Sequence, residues 1–255
     1  SASASGDPMA HYRPVAYQTM HQGVRTLQAD LKSSPGQAVL ARLLRNTDVL
    51  ITSFRPSALN KLGLGWKSLQ RQYPQLSCVA IVGAPGARAE EPGHDLTYVA
   101  EQGLVHGLKL PASLFADMGG SLMASEAVLK ALMLRAQPGR NQGQGVLLEV
   151  ALSEAAAYLA LPRHWGLTTP NGAVGGAHAG YQIYPCKDGR VAVAALETHF
   201  ALRLLKAAGL TEIGPKTPLT PQAHQAVTQF LAGQTRSQLE RLATAQDIPL
   251  HTLPR

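Results

Sequence analysis

Three short segments hold residue types that can move protons. The first is Pro92-Gly93-His94-Asp95-Leu96-Thr97-Tyr98. A histidine that follows glycine at the start of a helix can face an open cleft, titrate near neutrality and act as acid or base. The same position also suits His94 or Asp95 as a plain helix cap. The second is Phe115-Ala116-Asp117-Met118-Gly119-Gly120, just ahead of a predicted helix over 122–135. Asp117 would then sit at the positive end of that helix dipole. Gly119 and Gly120 would let a ligand approach the backbone, where free N–H groups can hold an oxyanion. An N-cap aspartate is the other reading. The third is Ala194-Ala195-Leu196-Glu197-Thr198-His199, where a predicted strand ends. Glu197 is placed there either as a site acid or as a helix cap.

Other chemistries find no support. Gly63-Leu64-Gly65 lacks the preceding strand of a dinucleotide loop. There is no G-x-S-x-G elbow. The two cysteines, Cys78 and Cys186, make neither a disulfide framework nor a zinc pattern and read as reduced thiols, which places the chain in the cytoplasm. No metal and no tightly bound cofactor is expected. No apolar run reaches the ~18 residues of a membrane span, and the opening Ser1-Ala2-Ser3-Ala4-Ser5-Gly6 lacks the pattern of a signal peptide. The net charge is +7, but the cations form no block and aromatics are not interleaved with them, so nucleic acid is not the expected partner. A diffuse positive bias suits a polyanionic small molecule equally well.

The elements that must position these residues can be read from pattern. Residues 1–25 look irregular. Residues 24–29 alternate apolar and polar, as a strand does. Ser33-Ser34-Pro35 opens a helix that carries Val39, Leu40, Leu43 and Leu44 on one face. Residues 48–53 and 76–82 are predicted as short buried strands, with helical segments at 59–62 and 66–72 between them. A long helix over 122–135 leads through a glycine-rich turn at 139–145 to a strand at 146–150 and a helix at 153–161. This alternation predicts parallel βαβ units and an α/β fold. Residues 166–180, rich in Gly, Pro and Thr, read as a linker. Beyond it, a β-hairpin at 182–195 turns at Lys187-Asp188-Gly189 and is followed by helices at 199–208, 221–232 and 236–245. The expected domains are thus 1–165, 166–180 as linker, and 181–255 as a small α+β domain.

In order and spacing, these segments resemble the family III CoA-transferases, and within them the α-methylacyl-CoA racemase branch. The resemblance runs over about residues 20–250 and rests on a series of short matches. They are Ala29-Asp30-Leu31-Lys32; Asp48-Val49-Leu50 through Phe54-Arg55-Pro56 to Leu62-Gly63-Leu64; Gly93-His94-Asp95 with Tyr98; Ala116-Asp117-Met118-Gly119-Gly120; Arg135, Gly139, Gly143 and Gln144; and residues 184–190 followed by Ala195-Leu196-Glu197. It implies a Rossmann-like large domain, incomplete here, plus the small α+β domain. The family's opening βα unit, its C-terminal return segment and its S-G-x-G-x-x-G-P loop have no counterpart; Val82-Gly83-Ala84-Pro85-Gly86 stands at the last position.

The resemblance also implies roles. His94 and Asp117 would be the proton-transfer pair, with Glu197 supporting His94. Arg55 would contact the CoA pyrophosphate, a match of guanidinium to doubly anionic phosphate. Lys32, Asp95, Tyr98, Gly119 and Gly120 would complete the CoA and acyl site. The partners implied are an acyl-CoA substrate, which brings coenzyme A with it, and a second subunit in a homodimer. The reaction implied is epimerisation of a 2-methylacyl-CoA through an enolate, with one group removing the α-proton and another returning one on the opposite face. Two alternatives stand beside it. One is CoA transfer between carboxylic acids with Asp117 as nucleophile. The other is a non-catalytic CoA-binding or scaffold protein.

Overall fold

The computed structural model describes residues 6–137 and 143–255. Ser1 to Ser5 and Gly139, both part of the sequence reading, lie outside these. The chain divides into two compact units, Ser1–Leu159 and Ala160–Arg255.

The first unit is built on a three-stranded parallel sheet in the order β1 (Val49–Thr52), β2 (Ser77–Val82), β3 (Leu147–Ala151). β2 lies between its neighbours, with Leu50 opposite Cys78 and Val79 opposite Leu148. Three helices precede β1: α1 (Pro8–Tyr12), α2 (Pro14–Met20) and α3 (Ser34–Leu44). α3 begins as its residues dictate. Ser33 Oγ accepts from the Gly36 amide at 3.2 Å, and Pro35 occupies the first turn, where its missing N–H costs nothing. Leu44 then packs on Leu69 and Leu76. β1 and β2 are joined through α4 (Pro56–Lys61) and α5 (Trp66–Gln72), and β2 and β3 through α6 (Asp95–Glu101) and α7 (Phe115–Ala136). α8 (Leu152–Leu159) follows β3 directly.

α7 covers one face of this sheet. Ala124 and Ala127 meet Val79 and Val150, and small helix residues let the backbone come close to β-branched strand residues. At its far end Arg135 reaches Asp48 at 2.7 Å and the Gln75 carbonyl at 3.0 Å, which ties the helix to the starts of β1 and β2.

Several expectations are corrected. Residues 24–29 form no strand: Val24 and Leu27 are exposed, and alternation makes a strand only where a neighbour completes the ladder. Residues 8–20, read as irregular, form α1 and α2, each opened by a proline at its first turn. β1 is not a buried strand. It is the sheet's edge, and Ile51 is 52% exposed. α7 begins at Phe115, seven residues before the predicted start at 122, so Asp117 lies inside its first turn rather than ahead of it.

The second unit holds α9 (Leu161–His164), an antiparallel sheet in the order β4 (Tyr181–Cys186), β5 (Gly189–Ala194), β6 (Leu250–Leu253), and helices α10 (Thr198–Ala207), α11 (Pro221–Ala232) and α12 (Arg236–Gln246). Cys186 pairs with Gly189 across the two-residue turn Lys187-Asp188. Val191, Val193, Leu204, Leu205, Val227, Leu231 and Leu239 form a closed core. β6 went unpredicted; it adds to the free edge of β5, with Thr252 opposite Val191. The expected linker 166–180 lies wholly within this unit. It folds on itself, with the Val174 amide on the Leu167 carbonyl at 3.1 Å, and at Gly172 and Gly175 a Cβ would collide with backbone carbonyls of the same loop.

Candidate active site

The site is assembled where α6 and α7 begin. His94 occupies the N-cap position of α6 with an extended backbone, φ −143° and ψ 170°. Thr97 secures that geometry: its Oγ1 accepts from the His94 amide at 3.1 Å, and its hydroxyl lies 2.7 Å from the His94 carbonyl. Asp95, the next residue, is buried at 5% exposure. Its Oδ1 accepts the backbone amide of Asp117 at 3.0 Å. That amide belongs to the first turn of α7 and has no acceptor within its own helix. One buried carboxylate therefore docks the start of α7 against the start of α6. It leaves the side chains of His94 and Asp117 exposed and within electrostatic reach of each other.

The electrostatics follow from this closeness. The Asp117 carboxyl titrates above the ordinary aspartate range. Partial burial is the largest cause and the charge of Asp95 the next, while His94 pulls in the opposite direction. The Tyr98 phenol is also pushed up, first by burial and then by Asp117, while Arg55 opposes the shift. Arg55, Tyr98 and Asp117 thus share one electrostatic neighbourhood.

Arg55 is exposed at the start of α4, just past the C-terminal end of β1, the usual side for ligands in an open parallel sheet. Its flanking residues Phe54 and Pro56 line a groove of about 520 Å³ on the sheet face opposite α7, together with Trp66, Cys78, Leu147 and Glu149. The loop is held from behind by Glu90, which accepts the Ser57 amide at 2.7 Å and its hydroxyl at 2.8 Å. The Cys78 thiol in this groove is pushed up to about 11 by burial, so it is not a nucleophile at neutral pH.

Other residues expected in the site have different surroundings. Asp95 is buried in the α6–α7 junction and acts by positioning. Tyr98 is 7% exposed, and its ring fills the space left by Gly83 and Gly93, where any Cβ would strike the phenol. The amides of Gly119 and Gly120 lie inside the hydrogen-bond ladder of α7 and are not free to hold an oxyanion. A Cβ on Gly120 would run into Leu152, and one on Gly119 would come within 3.2 Å of Leu159, so these glycines let α8 approach. Lys32 is exposed on the turn before α3, its amide on Asp30 Oδ1 at 3.0 Å. Glu197 is exposed at the N-cap of α10 in the second unit, where its carbonyl, not its carboxylate, accepts the Ala201 amide at 2.9 Å. Thr97 and Glu90 were missed. The Ser/Thr-type spacing of Thr97 after His94 was the available signal for the first; Glu90 acts across 33 residues and had none. Among the described residues no cluster of metal-ligating side chains occurs.

The first unit is thus a parallel α/β unit with His94 and Asp117 at two docked helix starts. The sequence profile of CoA-transferase family III matches residues 2–254, and the chain belongs to that family. It is 32% identical over 207 residues to the human alpha-methylacyl-CoA racemase, a match covering 74% of this chain and 53% of the racemase. It is also 28% identical over 167 residues to succinyl-CoA–D-citramalate CoA-transferase of Chloroflexus aurantiacus, covering 60% of this chain and 41% of that enzyme. The chain thus spans about half the length of the curated relatives it matches. Its fold is that of the Mycobacterium tuberculosis protein Rv3272, with TM-score 0.73 at 21% identity over 89% of this chain and 66% of that one. A CaiB/BaiF family protein from Brucella suis is similar, with TM-score 0.68 at 22% identity over 91% of this chain and 66% of that one.

Proposed function

We propose that the chain acts on acyl-CoA thioesters and epimerises a 2-methylacyl-CoA by 1,1-proton transfer. The observation that carries this reading is the Asp95–Asp117 hydrogen bond, which brings His94 and Asp117, the residues assigned here to proton transfer, to one junction. A thioester α-proton is acidic because the carbanion delocalises onto the carbonyl. One group removes it and the other returns a proton to the opposite face. A carboxyl held above its usual range, with an imidazole within its electrostatic reach, suits that exchange. The positive dipole at the start of α7 is assigned to the enolate oxygen. Arg55 is assigned to the CoA pyrophosphate and Lys32 to a more distant contact with the same nucleotide. Glu197 is assigned as the third acid, supporting His94. The racemase relatives favour this reading. The test is α-proton exchange in D₂O with no acceptor acid present; a folded chain that binds acyl-CoA and leaves the α-position unlabelled refutes it.

The CoA-transferase relatives favour a second reading. Here Asp117 attacks the thioester carbonyl and expels CoA thiolate to give an acyl anhydride; the thiolate then attacks the aspartyl carbonyl, releasing the donor carboxylate and leaving an aspartyl-CoA thioester. The exposed carboxylate at a helix start is compatible with attack as well as with proton transfer. A covalent adduct at Asp117 trapped with hydroxylamine, without α-proton exchange, selects this reaction.

A further inference from the structure

The loop 166–180 of the second unit is closed by a circuit of hydrogen bonds in which two histidines serve as acceptors. Gln182, on β4, stands at its centre. Its Nε2 donates to the Gly176 carbonyl at 2.7 Å, which fixes the nitrogen end of the amide. The same Nε2 faces Nδ1 of His224, on α11, at 3.2 Å. His224 Nε2 lies 3.0 Å from the Ala177 carbonyl. A carbonyl only accepts, so the ring proton is on Nε2, and Nδ1 offers its lone pair to Gln182. His178 repeats the arrangement: its Nδ1 accepts the Gly180 amide at 3.0 Å. Both rings are thus bound in the neutral form.

A proton added to either ring turns an acceptor into a donor. On His224 it sets one N–H against the N–H of Gln182. Turning the Gln182 amide over relieves that contact but sets Oε1 against the Gly176 carbonyl, so one bond of the circuit is lost either way. On His178 it sets N–H against the Gly180 amide. With both rings charged, His178 and His224 also repel each other, since each is within the other's field. The surrounding charges do not offset this. Glu197 and His199 flank Thr198, which lines with His178 a pocket of about 190 Å³. Lys216 precedes the helical turn Thr217–Leu219, Arg163 and His164 stand ahead of the loop, and Tyr184 donates its hydroxyl to the Ala179 carbonyl. Of the titratable groups among the described residues, only His224 acts on His178 through its charge.

We propose that His178 and His224 form an acid-operated latch: their neutral rings hold the loop 166–180 against β4 and α11, and protonation releases it while the antiparallel sheet stays folded. The direction of the effect follows from His178. Its imidazole titrates below the ordinary histidine range, through burial first and His224 second. A group with a lowered folded pKa contributes its stabilisation in full above the ordinary range and loses it as pH falls through that range toward the folded value. The latch is therefore closed at neutral pH and opens in mild acid. The inference rests on the donor and acceptor pattern and stands whichever reaction the site performs.

Hydrogen exchange of the full chain, read by mass spectrometry at about pH 7.5 and about pH 5 and corrected for the intrinsic effect of pH, tests it. Amides of residues 174–180 should lose protection about tenfold or more at the lower pH, while those of β4 and β5 keep theirs. The double variant His178→Asn with His224→Gln has no titrating ring. Asn Oδ1 can take the place of Nδ1 and Gln Nε2 that of Nε2, so the loop should be equally protected at both pH values. The wild-type comparison decides alone if the double variant misfolds. Equal protection of 174–180 at both pH values in wild type overturns the proposal. So does a loss shared by β4 and β5, or an acid-dependent loss that persists in the folded double variant.

Discussion

The side chain of Asp95 accepts the main-chain amide of Asp117 at 3.0 Å, across 22 residues. This bond holds the start of α7 against the start of α6, where His94 and Asp117 stand. Asp95→Ala should leave the Asp117 amide without its acceptor and cost about 1–3 kcal/mol of stability. It should also abolish α-proton exchange. Asp95→Asn keeps an acceptor oxygen and should recover most of the stability. Because the negative charge is gone, the Asp117 pKa should fall, read by NMR titration of its carboxyl carbon. An unmoved Asp117 pKa in the asparagine variant would show that Asp95 does not act on it.

Asp117 itself should show a linked effect of pH on stability. Its folded pKa is raised, so the folded chain holds that proton more tightly than the unfolded chain does. The resulting stabilisation is complete below the ordinary carboxylate range and is lost as pH rises through the raised folded pKa. At neutral pH the ionised group therefore burdens the fold. Asp117→Asn should melt at a higher temperature than wild type at pH 7, with the gap closing toward acid pH, while exchange on one face of the substrate is lost. A lower melting temperature at pH 7 contradicts the sign.

Arg55→Ala should weaken CoA binding by ~1.5–3 kcal/mol, roughly ten- to a hundredfold, as for loss of a charge-assisted bond. Isothermal calorimetry with free CoA measures it directly. Glu90→Gln should weaken binding less, because it loosens the Arg55 loop through Ser57 without touching an anion. Equal affinity in wild type and Arg55→Ala removes Arg55 from the nucleotide site.

Gly120→Ala separates packing from ligand contact. The added methyl meets only the end of the Leu152 side chain, which can turn aside, so the cost should be of order 1 kcal/mol. CoA affinity should not change. At Gly36 the same methyl meets the Asp30 backbone carbonyl, which cannot turn aside, and Gly36→Ala should destabilise more strongly, ~1–3 kcal/mol. Urea midpoints of the two variants compare them. Loss of CoA binding in Gly120→Ala would return that glycine to the ligand site.

Much of the fold was legible because local signals agreed with the tertiary outcome. Ser33 and Pro35 mark the start of α3, the apolar run ending at Val82 makes β2, and Lys187-Asp188-Gly189 turns the hairpin. The failures have physical causes too. The start of α7 was hidden by Gly119 and Gly120, poor helix formers kept in the helix by close packing on α8. β6 is four residues long and gains its order from β5. In the site, motif order placed His94 and Asp117 near each other, but no local pattern reveals that Asp95 is buried to hold an amide 22 residues away.

The parallel pairing of β2 with β3 has a kinetic consequence. Cys78 aligns with Leu147, so α6 and α7 both lie inside the loop that this pairing closes. Joining such distant strands costs loop entropy before any contact returns it, and pairings of this kind form late in folding. His94 and Asp117 both lie within the segment that this closure spans. The same closure, when it opens, releases both. Amides of β3 and substrate turnover should fail in one cooperative event during mild denaturation, before the antiparallel sheet of the second unit exchanges its protons.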